Sequence, residues 1–322
     1  MSNLIKVLSI DGGGIRGIIP AAILVEIEER TGEPIAELFE LIGGTSPGGI
    51  LALGLTKPGP DGKSQYSAED GLGLYEREGS RIFSRSIWHM IHSGWSVEEE
   101  KYPAEGIEGV LEEYFGDARL KEALTEVLIT SYEIERRTPF FFKSARAKDP
   151  QKPGFDFPMR QVARATSAAP TYFEPIKIET DDRSDYYALI DGGVFANNPA
   201  MCALAEAKVM YPNADDFLVV SLGTGELTRP LPYDEVKGWG LRQWAQPIIG
   251  VIFDGVSDTV HYQLKQFLPA GRYFRFQTRL NEGNDDMDDA SRTNIRALKL
   301  LAEKMIHEED STLAALCSQL VT

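Results

Sequence analysis

The opening of the chain, Ile5-Lys-Val-Leu-Ser-Ile-Asp-Gly-Gly-Gly-Ile-Arg-Gly17, restricts the fold more than any other stretch. A short apolar strand runs straight into consecutive glycines. Beyond them Ile19, Ala22, Ile23, Glu26, Ile27 and Arg30 recur at helical spacing until Gly32 stops the pattern. A second strand is expected over Leu38–Ile42, ending at Gly43-Gly44, with a buried helix beginning near Ile50. Strand, glycine loop, helix, strand, sharp turn, helix is the opening of a parallel α/β fold.

The rest of the chain continues that alternation. Helices are expected over 69–83, 103–114 and 159–168, with strands over 127–132 and 138–143. The strand Tyr186–Ile190 runs into Asp191-Gly192-Gly193, and Asn198 is placed to cap a helix that starts with Pro199. Phe217–Leu222 reads as a strand closed by Gly223-Thr-Gly225, and the part from about Pro247 as mostly helical. The acidic run Asp285–Asp289 reads as a solvated loop leading into the helix Ser291–His307. No linker or repeat divides the chain, so 1–322 is taken as one domain with an insertion at 57–116 and a helical C-terminal part at about 247–322.

Gly12-x-Gly14-x-x-Gly17 fits the dinucleotide fingerprint formally, but two features oppose that use. Asp11 would set a carboxylate where a pyrophosphate sits, and the second strand ends in glycines, not in an acid for the ribose. The same loop can serve as an oxyanion hole, because Gly12, Gly13 and Gly14 present backbone N–H groups at a helix start. Arg16 adds positive potential or a bond that shapes the loop.

Gly44-Thr-Ser-Pro-Gly48 matches the G-x-S-x-G pattern of a nucleophilic serine on a strand-to-helix turn. A structural Gly-Ser turn is its ordinary alternative. Pro47 lacks the N–H that many serine hydrolases use for the oxyanion, so the donors must come from the first loop. The histidines are His89, His92, His261 and His307. His261 and His307 fall on apparent helices, away from strand ends. Asp191, at a strand end with two glycines after it, is the better base for Ser46, although an isolated Asp-Gly turn would carry no such meaning.

Asp11-Gly-Gly-Gly-Ile-Arg-Gly17, Gly44-Thr-Ser-Pro-Gly48 and Asp191-Gly-Gly193 resemble, in order and spacing, the patatin-like phospholipase family. Ala165-Thr-Ser-Ala-Ala-Pro-Thr-Tyr-Phe173 and Asn197-Asn-Pro199 resemble its pattern as well. The resemblance, from about Ile5 to Gly225, implies a three-layer fold with a mostly parallel central sheet flanked by helices. It implies a lipid acyl hydrolase with a Ser46–Asp191 dyad and no cofactor, catalytic histidine or metal. Gly12, Gly13 and Gly14 would form the oxyanion hole and Arg16 would support them. Pro47 departs from the pattern, where Thr, Ala or Gly is commoner. Compact bacterial members of this size include antiviral effectors switched on by cyclic oligonucleotides, so a small-nucleotide activator joins phospholipid or lysolipid among the implied partners. A binding or storage protein without turnover is the contrasting reading.

With a formal charge of −16 the chain is a poor candidate for general nucleic-acid binding and is repelled by anionic membranes. Residues 79–97 contain no acid, and Trp88 and Trp95 suit a headgroup interface, so a lid or membrane-contact segment is expected there; a helix packed on the core is the alternative. Cys202 and Cys317 give no disulfide framework, and Met1–Lys6 shows no signal segment. The expectation is a cytoplasmic protein, peripheral to a membrane when active, for which a homo-oligomer is compatible with the sequence.

Overall fold

The computed structural model describes residues 3–83, 102–152, 154–180, 183, 185–244, 247–281 and 286–322. Trp88 and Trp95, with His89, His92 and most of the expected lid, lie outside the described residues.

The strands are β1 (Leu4–Ile10), β2 (Leu41–Gly44), β3 (Glu126–Glu133), β4 (Thr138–Lys143), β5 (Ile176–Glu179), β6 (Tyr186–Asp191), β7 (Asp216–Leu222) and β8 (Tyr273–Phe276). The longer helices are α1 (Ile18–Thr31), α2 (Pro47–Thr56), α3 (Ala68–Ile82), α4 (Ala104–Phe115), α5 (Met159–Thr166), α6 (Ala200–Met210), α7 (Pro247–Phe267), α8 (Arg292–Glu308) and α9 (Asp310–Leu320). The strands form one sheet in which β1 pairs in parallel with β2 and β7, β2 with β3, and β7 with β8. The β3–β4, β3–β6 and β5–β6 pairs are antiparallel. This is the mixed, mostly parallel α/β sheet expected.

Period-two alternation along the central strands builds two apolar layers. Leu8, Ile10, Leu218, Val220 and Leu222 join the larger core, which holds Ile19, Ile23, Leu24 and Ile27 of α1. Ile5, Val7, Phe217 and Val219 face the other way, onto Ala203, Leu204 and Ala207 of α6 and Val260 and Leu264 of α7. Small residues on α6 let it lie close: a Cβ on Gly43 would meet that of Ala203 at 2.9 Å. Gly32 ends α1 in the left-handed region, with φ 72°. α3 starts with a capping box in which Ser67 and Asp70 each accept the other's backbone N–H.

Three expectations need correction. The second strand is Leu41–Gly44, because Ile35–Leu38 forms a helical turn whose first N–H, on Ile35, donates to Glu28 Oε1. The C-terminal part, mostly helical as expected, also carries the strand β8, whose Phe274 and Phe276 are buried at alternate positions; four residues beside a long helix gave too short a pattern to separate. The acidic run is not only a solvated loop. Met287 O accepts from Ile15 N–H, and Asp288 accepts from the Tyr102 hydroxyl, so this segment packs against the first glycine loop.

One feature of the sheet governs the site. Leu128 and Ile129 pair with β2 on one edge and β4 on the other, while Ser131, Tyr132 and Glu133 pair with β4 and β6. Because β4 occupies one edge throughout, β2 and β6 share the opposite edge and meet end to end across Thr130. They run in opposite directions, so their C-terminal ends face each other. A Cβ on Gly192 would stand 2.1 Å from Thr130 Oγ1 and 2.6 Å from Thr130 backbone carbon. Gly192→Ala should therefore force the strand ends apart and lower the thermal midpoint by several degrees, with no rescue by Thr130→Ala because the backbone clash persists. Thermal melts of the single and double variants check this.

Candidate active site

Ser46 stands between the last residue of β2 and the first of α2, in a strained conformation with φ 55° and ψ −123°. The flanking glycines are there for want of space. A Cβ on Gly44 would sit 2.4 Å from Gly48 O, and one on Gly48 would sit 2.2 Å from Ile10 O. Pro47 opens the helix at a position where a missing N–H costs nothing. Ser46 N–H is itself engaged, donating to Thr166 Oγ1 at 2.9 Å. Thr45 Oγ1 donates to Ala196 O at 2.6 Å, so in the 2.7 Å contact between the two hydroxyls Thr130 is the donor. These bonds fix the elbow against β3 and the turn after β6.

Asp191 ends β6 and is fully buried. Its N–H donates to Ala168 O at 3.0 Å, and its Oδ1 accepts from Gly193 N–H at 2.7 Å. Its Oδ2 makes no hydrogen bond of good geometry among the described residues, and the Ser46 hydroxyl is the group near enough to act on the carboxyl. Burial pushes the carboxyl pKa up to about 7, against the opposing pull of the Ser46 hydroxyl and Gly193 N–H. β6 is antiparallel to β3, and its end meets that of β2 head-on, which sets Asp191 beside the serine turn.

The glycine loop lies across the same cavity. Gly12 is not a free donor, since its N–H is spent on Asn197 O at 2.9 Å. A Cβ there would meet Asn197 Oδ1 at 2.4 Å, so any larger residue would displace that side chain. Gly12 accordingly leaves the expected donor set. Gly13 and Gly14 N–H have no acceptor among the described residues, and both glycines line the cavity with Ser46 and Asp191. Gly14, at φ 60°, passes so close to Met287 that a Cβ would meet its carbonyl oxygen at 2.0 Å. Arg16 is buried and supports the loop from within: its N–H and Nε–H both donate to Gly13 O, at 3.3 and 3.1 Å. Thr224 Oγ1, from the turn after β7, donates to Gly12 O at 2.6 Å.

Asp11 does not point into the mouth of the site as the sequence suggested. Its Oδ2 pairs with Arg275 Nη2 at 2.7 Å and accepts from Ser257 Oγ at 3.2 Å, while Arg275 Nη1 donates to Ser221 Oγ at 2.8 Å. That buried pair ties the root of the glycine loop to α7 and β8. Among the described residues, none that lines the cavity is a histidine. His261 Nδ1 lies 3.1 Å from the Tyr273 hydroxyl instead, its pKa lowered by burial.

The cavity encloses about 610 Å³, part of it open to solvent. Its polar end is Gly13, Gly14, Ser46 and Asp191; the remainder is walled chiefly by apolar side chains such as Ile82, Phe83, Phe173 and Phe253. Sequence reasoning missed Thr224, Met287 and Arg275. The glycine-flanked Thr224 at the end of β7 was a readable signal, whereas Met287 and Arg275 have no local motif. No group of His, Cys, Asp and Glu with metal-holding geometry occurs among the described residues. No helix there is long and apolar enough to cross a membrane.

A serine on a glycine-flanked elbow, a buried carboxylate beside it and a glycine loop opposite are the features of a hydrolase site on an α/β sheet. Residues 8–204 match the family model described as patatin-like phospholipase, and the chain belongs to that family. It is 32% identical over 337 residues to Patatin-like protein 4 of Arabidopsis thaliana, covering 94% of this chain and 84% of that one. It is also 32% identical over 342 residues to two Solanum tuberosum proteins, Probable inactive patatin-3-Kuras 1 (97% of this chain, 88% of that one) and Patatin-T5 (97% and 86%). Membership in this family implies a lipid acyl hydrolase.

The acidity of Asp191 has a consequence for stability. Its pKa is raised from 3.8 in the open chain to about 7 when folded, so its contribution is most favourable below about pH 4 and is lost as pH rises through 7. Asp191→Asn removes the charge but keeps an acceptor for Gly193. The variant should gain stability over wild type, by several degrees in thermal midpoint, as pH is raised from 5 to 8. Melts across that range check the widening gap.

Proposed function

We propose that the protein hydrolyses the carboxylic esters of phospholipid or lysolipid through an acyl-Ser46 intermediate, with Asp191 as the base. The observation that carries this reading is the buried Asp191 Oδ2, with no hydrogen bond of good geometry among the described residues, at the side of the Ser46 hydroxyl.

Ser46 Oγ attacks the ester carbonyl carbon as its proton passes to Asp191. The carbonyl oxygen, now negative, is held by Gly13 and Gly14 N–H, which have no other acceptor among the described residues. Collapse breaks the ester C–O bond, and Asp191 returns the proton to the departing alcohol. Water then attacks the acyl-serine, giving its proton to Asp191, and the fatty acid leaves as Ser46 recovers its hydrogen. A carboxylate is an adequate base for a hydroxyl when burial raises its pKa towards neutrality, and burial raises that of Asp191 to about 7. The apolar walls of the cavity suit the acyl chain and exclude water from the reacting carbonyl.

The second reading, a storage or binding protein without turnover, has the name of one relative in its favour. Fatty-acid release from phosphatidylcholine and lysophosphatidylcholine separates the two. Ser46→Ala should fall to background, and Asp191→Asn should lose roughly 10²–10⁴-fold in kcat. Gly13→Val, whose Cβ would stand 2.4 Å from Thr224 Oγ1, should lose activity on a similar scale. Equal release by wild type and all three variants would end the enzymatic reading. Since only ionised Asp191 accepts the proton, kcat/KM should rise with pH and level off above about 7. A rate that falls across that interval contradicts the assignment of the base.

A further inference from the structure

Six of the twelve exposed large apolar side chains among the described residues fall between Leu231 and Ile252. They are Leu231, Tyr233, Leu241, Ile248, Val251 and Ile252, and Leu241 is 93% exposed. Such crowding on one segment differs from the scattered apolar exposure of an ordinary surface. The run 236–253, from Val236 to Phe253, contains no Asp or Glu in a chain that has 49 of them. It holds Trp239 and Trp244, packed edge to face with ring centroids 5.3 Å apart. All four tryptophans of the chain lie in acid-free stretches, two in 236–253 and two in 79–97.

The first two turns of α7 are apolar on both sides. Ile249 and Phe253 face inward, and Phe253 lines the cavity that holds Ser46. Ile248, Val251 and Ile252 face solvent, with exposures of 38%, 45% and 39%. Ile252 and Phe253 are adjacent in sequence, so they lie about 100° apart around the helix. One turn therefore joins the wall of the cavity to the outer surface. Farther along, the exposed face turns polar at Asp258 and Thr259, which separates this apolar end from the exposed Tyr262 and Phe267 near the C-terminus of the helix.

We propose that Leu241 with Ile248, Val251 and Ile252 forms a docking surface for a neutral, zwitterionic lipid layer, with Trp239 and Trp244 at headgroup depth. This rests on the reading of the cavity as a lipid-hydrolysing site and specifies how that site meets its substrate. Charge decides the kind of surface. The net charge of −16 disfavours anionic membranes, whereas the acid-free patch, with Arg242 exposed and Lys237 paired to Asp234 at 2.7 Å, has little to repel a zwitterionic one. Aliphatic side chains set among tryptophans match the acyl–headgroup boundary. Seating the apolar end of α7 there brings the cavity wall to the depth from which an acyl chain enters.

The test uses the full chain and phosphatidylcholine vesicles, read by co-sedimentation, with hydrolysis of a soluble short-chain p-nitrophenyl ester in parallel. Wild type should bind the vesicles. Leu241→Glu/Val251→Glu/Ile252→Glu should weaken binding by about a hundredfold or more, since each apolar contact replaced by a charge is worth at least a several-fold change. The variant should keep its thermal midpoint and its rate on the soluble ester. If the triple variant fails to fold, Leu241→Glu alone, at an almost fully exposed position, should still weaken binding several-fold. Equal binding by wild type and variants, no binding by wild type, or binding that requires anionic lipid would overturn the proposal. So would a wild-type dimer that the substitutions dissociate, which would make a second copy the occupant. Vesicle binding without hydrolysis of the soluble ester would instead count against the catalytic reading alone.

Discussion

The shared edge of β3 is the constraint from which the candidate site follows. β4 claims one side of that strand along its length, so β2 and β6 must divide the other, and they approach from opposite directions until Thr130 alone separates them. The chain leaving β2 turns sharply at Ser46, and the chain leaving β6 turns at Gly192. Each turn is pressed against the other, with Thr45 and Thr130 hydroxyls bonding across the gap. Ser46 and Asp191 are neighbours because two strands have run out of room at the same place. That confinement also removes water from the Asp191 carboxyl, and the loss of water raises its pKa to about 7.

The glycine loop is held by the same economy of contacts. Gly12 is pinned on both sides, its N–H by Asn197 O and its carbonyl by Thr224. Gly13 O is occupied by Arg16, and Ile15 N–H is drawn to Met287 O. After these bonds are formed, Gly13 and Gly14 N–H remain over the cavity. Donors left without an acceptor inside a protein are costly, on the order of 1–3 kcal/mol each. Under the proposed reaction, an oxygen that becomes negative between them would recover that cost, which is how a rigid loop favours a transition state over its substrate.

Much of this was legible in the sequence where the cause is local. The glycines of the elbow, the apolar strand before it and Pro47 at a helix start are short-range requirements, and they located Ser46. The strand end at Asp191 was readable for the same reason. Features decided by distant partners were not. Gly12 looks like its neighbours in sequence, and only the approach of Asn197 removes its N–H from service. Asp11 reads as an acid at the mouth of a loop until Arg275, which arrives from β8, turns it inward. Met287 sits in an acidic run whose composition says solvent, yet its backbone carbonyl closes over Gly14. The apolar end of α7 was overlooked because a helix with two apolar sides reads as buried, and which side faces solvent depends on what packs against it.

The Asp11–Arg275 pair has a further consequence, for the order in which the molecule is made. The serine elbow, the glycine loop and Asp191 all lie within the first 191 residues, yet the anchor beneath that loop is supplied by β8. β8 can pair only after β7 and the whole of α7 have been synthesised. A nascent chain that has already emerged past Asp191 still carries an uncompensated acid at the root of its glycine loop. The root of the glycine loop is therefore complete only once β8 has joined the sheet.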